Sequence, residues 1–303
     1  MTGERPCNIC RDSRCAEVAG LRSDLDGEYY RVMKCERCGL LYVDPLPDLS
    51  PENLRKIYGD TYVEKVYPLS EDRLLEDALG RQMAIVEQYG TIGDVLNVGA
   101  MSGECRILTD RGWRLHIVEA SAHAAERARE RWGVEITVSK IEDYSVPPGS
   151  YDFIKLGHVI EHLGDPSTTV AHLHGMLRAG GLILIDTDNA EGLETRVEAS
   201  LMGLMRRDRV RRIAEKLAGK KYNLRSGRLT PPVHLYTFTM KSLVSLVRQC
   251  GFEVVATFNA SWGDPTWFPL SKRSVIETLF LGIDHIGAML GRGNVIAVLA
   301  RKA

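Results

Sequence analysis

Four cysteines stand in two pairs of equal spacing, Cys7-x-x-Cys10 and Cys35-x-x-Cys38. Each pair sets two thiolates on one tight turn, and two such turns complete a tetrahedral S4 site for a structural Zn2+. That geometry leaves no open ligand position, so the metal would hold the chain and not react. Gly39 follows the second pair, where a turn often needs positive φ. Cys15 is a competing ligand without a partner pair. Cys105 and Cys250 fall in apolar surroundings and read as buried thiols.

A second set of residues can bind a nucleoside. In residues 95–119, VLNVGAMSGECRILTDRGWRLHIVE, an apolar run ends in a glycine turn from Gly99 to Gly103, and a second apolar run closes on Glu119. Strand, glycine turn, helix and carboxylate-ended strand form an adenosine-cofactor site. The glycines let the backbone approach the ligand, and the acid accepts hydrogen bonds from ribose hydroxyls. A dinucleotide favours G-x-G-x-x-G, which sets its pyrophosphate against a helix N-terminus. Gly99-x-x-x-Gly103 lacks that spacing, and a donor without phosphate does not require it.

A third set can move protons. His158, Glu161 and His162 come directly after an apolar run, and His234 sits in Pro231-Pro232-Val233-His234-Leu235-Tyr236-Thr237-Phe238. Each is a candidate general base. Each also has a plainer role: orienting the loop, capping the next helix, or packing beneath it.

The elements that must position these groups follow from the hydrophobic pattern. Strands are expected at Val95–Val98, Leu115–Val118, Glu135–Val138, Tyr151–Leu156 and Leu182–Asp186, with helices at 103–111, 122–132 and 166–178 between them. Ser121 is a good N-cap for the second of these. The alternation predicts an α/β fold with a mostly parallel sheet covered on both faces. Its carboxyl rim would carry Gly99–Gly103, Glu119, Lys140–Glu142 and Gly157–His162. Strands at Phe252–Phe258 and Asn294–Ala300 would complete the sheet after helix Met240–Gln249. Before this core, 1–47 reads as a zinc-binding ribbon with a hairpin around Tyr29, Tyr30, Val32 and Met33. A ribbon of about forty residues cannot stabilise itself by core burial alone. Residues 48–90 read as a helical link whose Tyr58, Tyr62 and Tyr67 line either a substrate mouth or an interdomain seam. The core, 91–303, carries an insertion at 190–230.

From residue 91 to about 188 the sequence resembles the class I S-adenosylmethionine-dependent methyltransferases. Asn97-Val98-Gly99-Ala100-Met101-Ser102-Gly103 is similar to the family's acid-x-Gly-x-Gly-x-Gly motif, with Asn97 for the acid and Met101 for the middle glycine. Glu119 matches the ribose acid, Ile141-Glu142 the adenine-flanking region, and Tyr151-Asp152-Phe153-Ile154 the strand that follows. His158-Val159-Ile160-Glu161-His162-Leu163 with Asp165-Pro166 matches a post-strand motif of bacterial small-molecule methyltransferases, and Leu177-Arg178-Ala179-Gly180-Gly181-Leu182 the turn into the next strand. The paired cysteines and the following "CGLLYVDPLP" resemble a bacterial subgroup with an N-terminal zinc-binding segment. The resemblance implies a Rossmann-like seven-stranded sheet with the last strand antiparallel. It implies S-adenosylmethionine bound by Asn97, Gly99, Ala100, Met101, Ser102, Gly103, Glu119, Ala120, Ile141, Glu142, Gly157 and His158. The methyl acceptor implied is a small molecule such as a sugar, glycan or secondary metabolite, methylated on oxygen or carbon.

Composition narrows the partners. A net charge of −1 gives no global attraction to nucleic acid or membrane. Without a signal pattern or a long apolar run, a soluble cytoplasmic protein is expected. Between Arg206 and Arg228 bases far outnumber acids. That segment reads as a lid over an anionic acceptor, a membrane-surface helix, an RNA-facing patch, or a solvated helix face. The aromatic loop Trp262–Phe268 would line a pocket or an oligomer contact. The apolar run Val275–Leu290 would pack on the sheet or on a second copy in a homodimer. Two other functions compete with small-molecule methylation: methylation of rRNA or tRNA bases, and a scaffold of the same fold without activity.

Overall fold

A computed structural model describes residues 6–23, 26–57, 73–100, 104–197, 229, 231–260 and 275–303. Met101, Ser102 and Gly103, the three tyrosines of 58–67, the basic stretch 206–228 and the aromatic loop 262–268 lie outside the described residues.

The chain opens with three antiparallel strands, β1 (Cys15–Arg22), β2 (Tyr29–Cys35) and β3 (Leu41–Asp44). Helices α1 (Pro51–Ile57) and α2 (Arg73–Tyr89) lead into the core. There follow β4 (Asp94–Val98), α3 (Glu104–Asp110), β5 (Arg114–Glu119), α4 (Ala122–Trp132), β6 (Thr137–Val138), β7 (Tyr151–Gly157), α5 (Pro166–Met176) and β8 (Leu177–Asp188). The chain ends with β9 (Tyr236–Thr237), α6 (Met240–Gln249), β10 (Phe252–Ala260), α7 (Val275–Met289) and β11 (Val295–Lys302). Seven strands form one sheet in the order β10-β11-β8-β7-β4-β5-β6. The five central and outer strands β8-β7-β4-β5-β6 are parallel, and β11 runs antiparallel to both neighbours. The Rossmann-like, mostly parallel sheet expected from the alternating pattern is therefore present, including its antiparallel last strand.

Parallel strands covered on both faces read as continuous apolar runs. Phe153, Ile154 and Leu156 of β7 and Leu182, Ile183, Leu184 and Ile185 of β8 are buried almost completely. Local signals set the helix ends. Ser121 accepts a hydrogen bond from Ala124 N, and Gly133, at φ 63°, ends α4. Asp165 caps α5 by accepting from Ser167 N and Thr168 N, with Pro166 in the first turn. This gives the Asp165-Pro166 pair a structural task. Asp152 has one too. Its carboxylate accepts from Asp94 N at 2.7 Å and pairs with Arg178, tying β4, β7 and β8 at the rim opposite the glycine turn.

Two expected boundaries shift. The helix expected over 166–178 stops at Met176, because Leu177 is fully buried and pairs with Tyr151 in the sheet. The strand expected over 135–138 keeps only Thr137–Val138, paired with the last residues of β5. The link expected as helix through 48–90 is described as α1 and α2. Cys250, expected as a buried thiol, is half-buried, whereas Cys105 is fully buried.

One strand was not legible in the sequence. β9 pairs with β3, so the N-terminal sheet has the order β1-β2-β3-β9 and takes its last strand from the far part of the core. The ribbon and the core also share one buried cluster, in which Cys7, Val32 and Leu40 pack with Leu156, Ile160 and Phe238.

Candidate active site

The carboxyl ends of β4, β5, β7 and β8 form one rim. On its first half Gly99 and Ala100 meet Glu119. Gly99 has φ 94°, a conformation side chains disfavour. Ala100 N donates to Glu119 Oε2 at 3.0 Å and Ser121 N donates to Oε1 at 2.7 Å. Burial pushes the Glu119 pKa up, against the opposing pull of these backbone N–H groups. The Ala120 N–H bonds to the same carboxylate, and the acceptor capacity that remains is open to another donor. Asn97 is 1 % exposed; its Nδ2 donates to Gly99 O at 2.8 Å, and its Oδ1 is buried with no hydrogen-bond partner. A buried acceptor in that state costs free energy unless a donor arrives. Nearby, Ala120 is exposed at the end of β5, Ile141 is buried in the turn after β6, and Glu142 is exposed beside it.

The second half of the rim is a chain of charged groups. Gly157 ends β7, and His158 follows at φ 52°, a left-handed position that histidine tolerates better than most residues. His158 Nδ1 lies 3.1 Å from Glu161 Oε1, and its Nε2 lies 3.5 Å from Asp186 Oδ1. Asp186 also faces Lys155 Nζ at 3.3 Å. Thr187 Oγ1 donates to the other Glu161 oxygen at 2.9 Å. Positive and negative groups thus alternate: Lys155, Asp186, His158, Glu161. Burial disfavours charge on His158, but the hydrogen bond and charge of Glu161, with Asp186 and Asp188, outweigh it and push its pKa up to about 9. Burial likewise acts against ionised Glu161, and His158 with the two other histidines brings it down to about 2. The pair is an imidazolium–carboxylate pair.

His162 is the opposite case. Its Nδ1 lies 2.9 Å from the carbonyl oxygen of Val233. A carbonyl only accepts, so Nδ1 carries the hydrogen and Nε2 holds the lone pair. Burial and the neighbouring His234 push its pKa down to about 4, leaving it neutral at ordinary pH. The rings of His162 and His234 meet edge to face with centroids 4.8 Å apart. His234 Nδ1 lies 3.9 Å from Asp188 Oδ2. Glu161, His162 and His234 also place one ligand-type atom each within 4.8 Å of one another.

The four predicted proton-transfer candidates, His158, Glu161, His162 and His234, are therefore gathered in one cluster, although His234 lies far away in sequence. Lys155, Asp186, Thr187 and Asp188 were missed as members. A lysine inside the apolar run Phe153–Leu156 and an Asp-Thr-Asp closing the run before it were the available signals.

A sequence profile described as "Methyltransferase domain" matches residues 45–257, well over half of the chain. The chain belongs to the methyltransferase domain family. This methyltransferase has the class I fold. Its sheet is similar to that of 1,6-didemethyltoxoflavin-N1-methyltransferase from Burkholderia thailandensis, solved with 1,6-didemethyltoxoflavin and S-adenosylhomocysteine bound. The identity is 14 %, the coverage 89 % of this chain and 97 % of that one, and the TM-score 0.52. A methyltransferase of Haloferax volcanii, solved in complex with the Trm112 methyltransferase activator, is 14 % identical over 80 % of this chain and 96 % of that one, with TM-score 0.50. An S-adenosylmethionine-dependent methyltransferase from Archaeoglobus fulgidus is 16 % identical over 75 % and 94 %, with TM-score 0.49. No curated protein matches the methyltransferase.

The four paired cysteines converge 25 to 31 residues apart in sequence. Cys7 Sγ lies 3.7 Å from Cys38 Sγ, and Cys10 Sγ 3.4 Å from Cys35 Sγ. All four sulfurs lie within 4.8 Å of one another. Metal–sulfur bonds of about 2.3 Å in a tetrahedron give sulfur–sulfur edges of about 3.8 Å. The hydrogen bond from Cys38 brings the Cys7 thiol down to about 5, while burial raises Cys10 to about 11. Full ionisation of the set requires a cation among the sulfurs. Among the described residues no helix is long and apolar enough to cross a membrane.

Proposed function

We propose that this methyltransferase moves the methyl group of S-adenosylmethionine to an oxygen or carbon of a small-molecule acceptor, with His162 as general base. The observation that carries the reading is the tautomer of His162: Val233 O holds the hydrogen on Nδ1, and a neutral ring with its lone pair on Nε2 stands on the cofactor rim. Methyl transfer is a displacement at an electrophilic sulfonium, so the donor supplies the reactivity when bound. The residues here position the acceptor and take its proton. His158 and Glu161 neutralise each other and orient the loop that carries His162. His234 lies beside that ring, edge to face.

The donor would be held by Asn97, Gly99, Ala100 and Glu119, with Ala120, Ile141 and Glu142 around the adenine and Gly157 and His158 closing the rim. Met101, Ser102 and Gly103 complete the turn in this proposal. The orphaned Asn97 Oδ1 suits a donor's ammonium group, and the open lone pairs of Glu119 suit ribose hydroxyls. Cys7, Cys10, Cys35 and Cys38 would hold a structural Zn2+. In this proposal the chain comprises a ribbon, 1–47, a linking segment, 48–90, and a core, 91–303, with an insertion at 190–230. A small-molecule acceptor is also what the Burkholderia thailandensis neighbour carries.

Calorimetry with S-adenosylmethionine is the first test, and absence of binding at millimolar donor would sink the reading. Transfer of labelled methyl from the donor, with the protein added to a cell extract, is the second. Label in the small-molecule fraction is expected; label confined to RNA would move the protein to the base methyltransferases. Metal analysis of freshly purified protein is expected to find one zinc per chain.

A further inference from the structure

We propose that the four-cysteine centre is a positioning device for the histidine cluster: it clamps the two loops that supply His162 and His234. The inference rests on the zinc reading above.

Both cysteine turns touch those loops directly. Asn8, inside the first turn and 7 % exposed, donates through Nδ2 to Tyr236 Oη at 2.8 Å. Tyr236 Oη donates in turn to Gly164 O at 3.0 Å, and Ser167 Oγ donates to Asn8 O at 3.1 Å. One knuckle thus fastens the end of the His158–Leu163 loop and the segment after His234 together. The second turn does the same for the far end of that segment. Thr239 Oγ1 donates to Cys38 O at 2.7 Å, and Gly39 lies so close beneath Thr239 that a Cβ would come to 2.9 Å from its methyl group. Between the two attachments β9 pairs with β3, and Val43 N donates to Leu235 O at 3.0 Å.

The loops also hold each other. Leu235 N donates to Glu161 O at 2.8 Å, and Val233 O takes the hydrogen of His162 Nδ1. The carbonyl that sets the His162 tautomer therefore belongs to a segment whose fixed ends are attached to the cysteine turns. Nothing comparable links those turns to Gly99, Ala100 or Glu119 among the described residues. Release of the metal should loosen the histidine half of the rim and leave the donor half in place.

Hydrogen exchange by mass spectrometry on the full chain, before and after stripping zinc with a mercurial and a chelator, reads this directly. Peptides covering 158–165 and 231–239 are expected to exchange at least about tenfold faster after stripping. Peptides covering 94–99 and 114–121 are expected to change less than about twofold. Unchanged exchange at 158–165 and 231–239 in protein shown to have lost its zinc would overturn the positioning role and leave the zinc reading intact. Protein that never contains zinc and takes up none would overturn both. A Tyr236→Phe variant keeps all four cysteines and removes the link from Asn8 to Gly164. It is expected to retain its zinc and to show faster exchange at 158–165; normal exchange there would refute the clamp even if the stripped protein unfolds.

Discussion

Glu119 and His162 stand on the same rim of the same sheet, yet they are held in different ways. Glu119 ends a strand and is bonded by the backbone of Ala100 and Ser121, both within 20 residues of it. His162 depends on Val233, 71 residues away, and the segment around Val233 depends on the ribbon. The donor half of the rim is local, made of one strand-turn-helix-strand unit. The histidine half is assembled from three distant parts of the chain. Local construction gives a cradle that needs little from the rest of the molecule. Distant construction places charged and neutral groups side by side in a buried space, which no single segment can do.

That contrast can be broken most sharply at Glu161. Glu161→Ala leaves the buried His158 charge without its nearest counter-charge, and breaking a buried pair costs about 3–5 kcal/mol. Chemical denaturation should show that loss, and a change below about 1 kcal/mol would mean that His158 is neutral. His162→Asn is expected to lower kcat by about 10²–10⁴ while donor affinity stays within about twofold. In the parent protein the acid limb of the kcat/KM profile should fall near pH 4, where His162 takes a proton, and that limb should vanish in the variant.

Stability against pH tests the same cluster. The raised pKa of His158 contributes stability that is complete below its ordinary value of 6.5 and lost as pH rises through about 9. The lowered pKa of Glu161 contributes stability that is complete above 4.5 and lost as pH falls toward 2. The depressed His162 adds a loss between 6.5 and 4, because the unfolded chain binds the proton there first. A stability maximum near pH 6.5 is therefore expected by thermal melts, flattened in Glu161→Gln. On the donor half the effects should be smaller and separate. Glu119→Ala should weaken S-adenosylmethionine binding about tenfold, about 1.4 kcal/mol, with kcat at saturating donor little changed. Ser121→Ala, which removes the cap of α4, should cost about 1 kcal/mol of stability and leave both halves of the rim in place.

The glycine turn shows why one half was readable in advance. Gly99 needs positive φ, the run before it needs burial on both faces, and Glu119 needs only to end the next strand. Each demand is written in residue type and spacing. The cysteine pairs are legible for the same reason, since a thiolate pair on a tight turn is a local arrangement. His158, Glu161 and His162 were visible as candidates because they follow a strand, but their protonation was not. His158 and His162 lie four residues apart on one loop, yet one is held charged and the other neutral. The difference comes from Glu161, Asp186 and Asp188 around His158 and from burial and His234 around His162. Asp186, Asp188 and His234 reach the loop only through the sheet and the segment before β9.

Sequence alone thus determined the parallel sheet, the meeting of Gly99 and Ala100 with Glu119 at its carboxyl rim, and the pairing of the cysteines, because hydrophobic period, glycine freedom and ligand spacing act over a few residues. Tertiary structure alone decided that Tyr236–Thr237 joins the ribbon's sheet, that His234 meets His162 edge to face, and which histidine is held charged. Those outcomes depend on burial, charges and hydrogen bonds a few ångströms away in space but up to 228 residues away in sequence, as Asn8 and Tyr236 are.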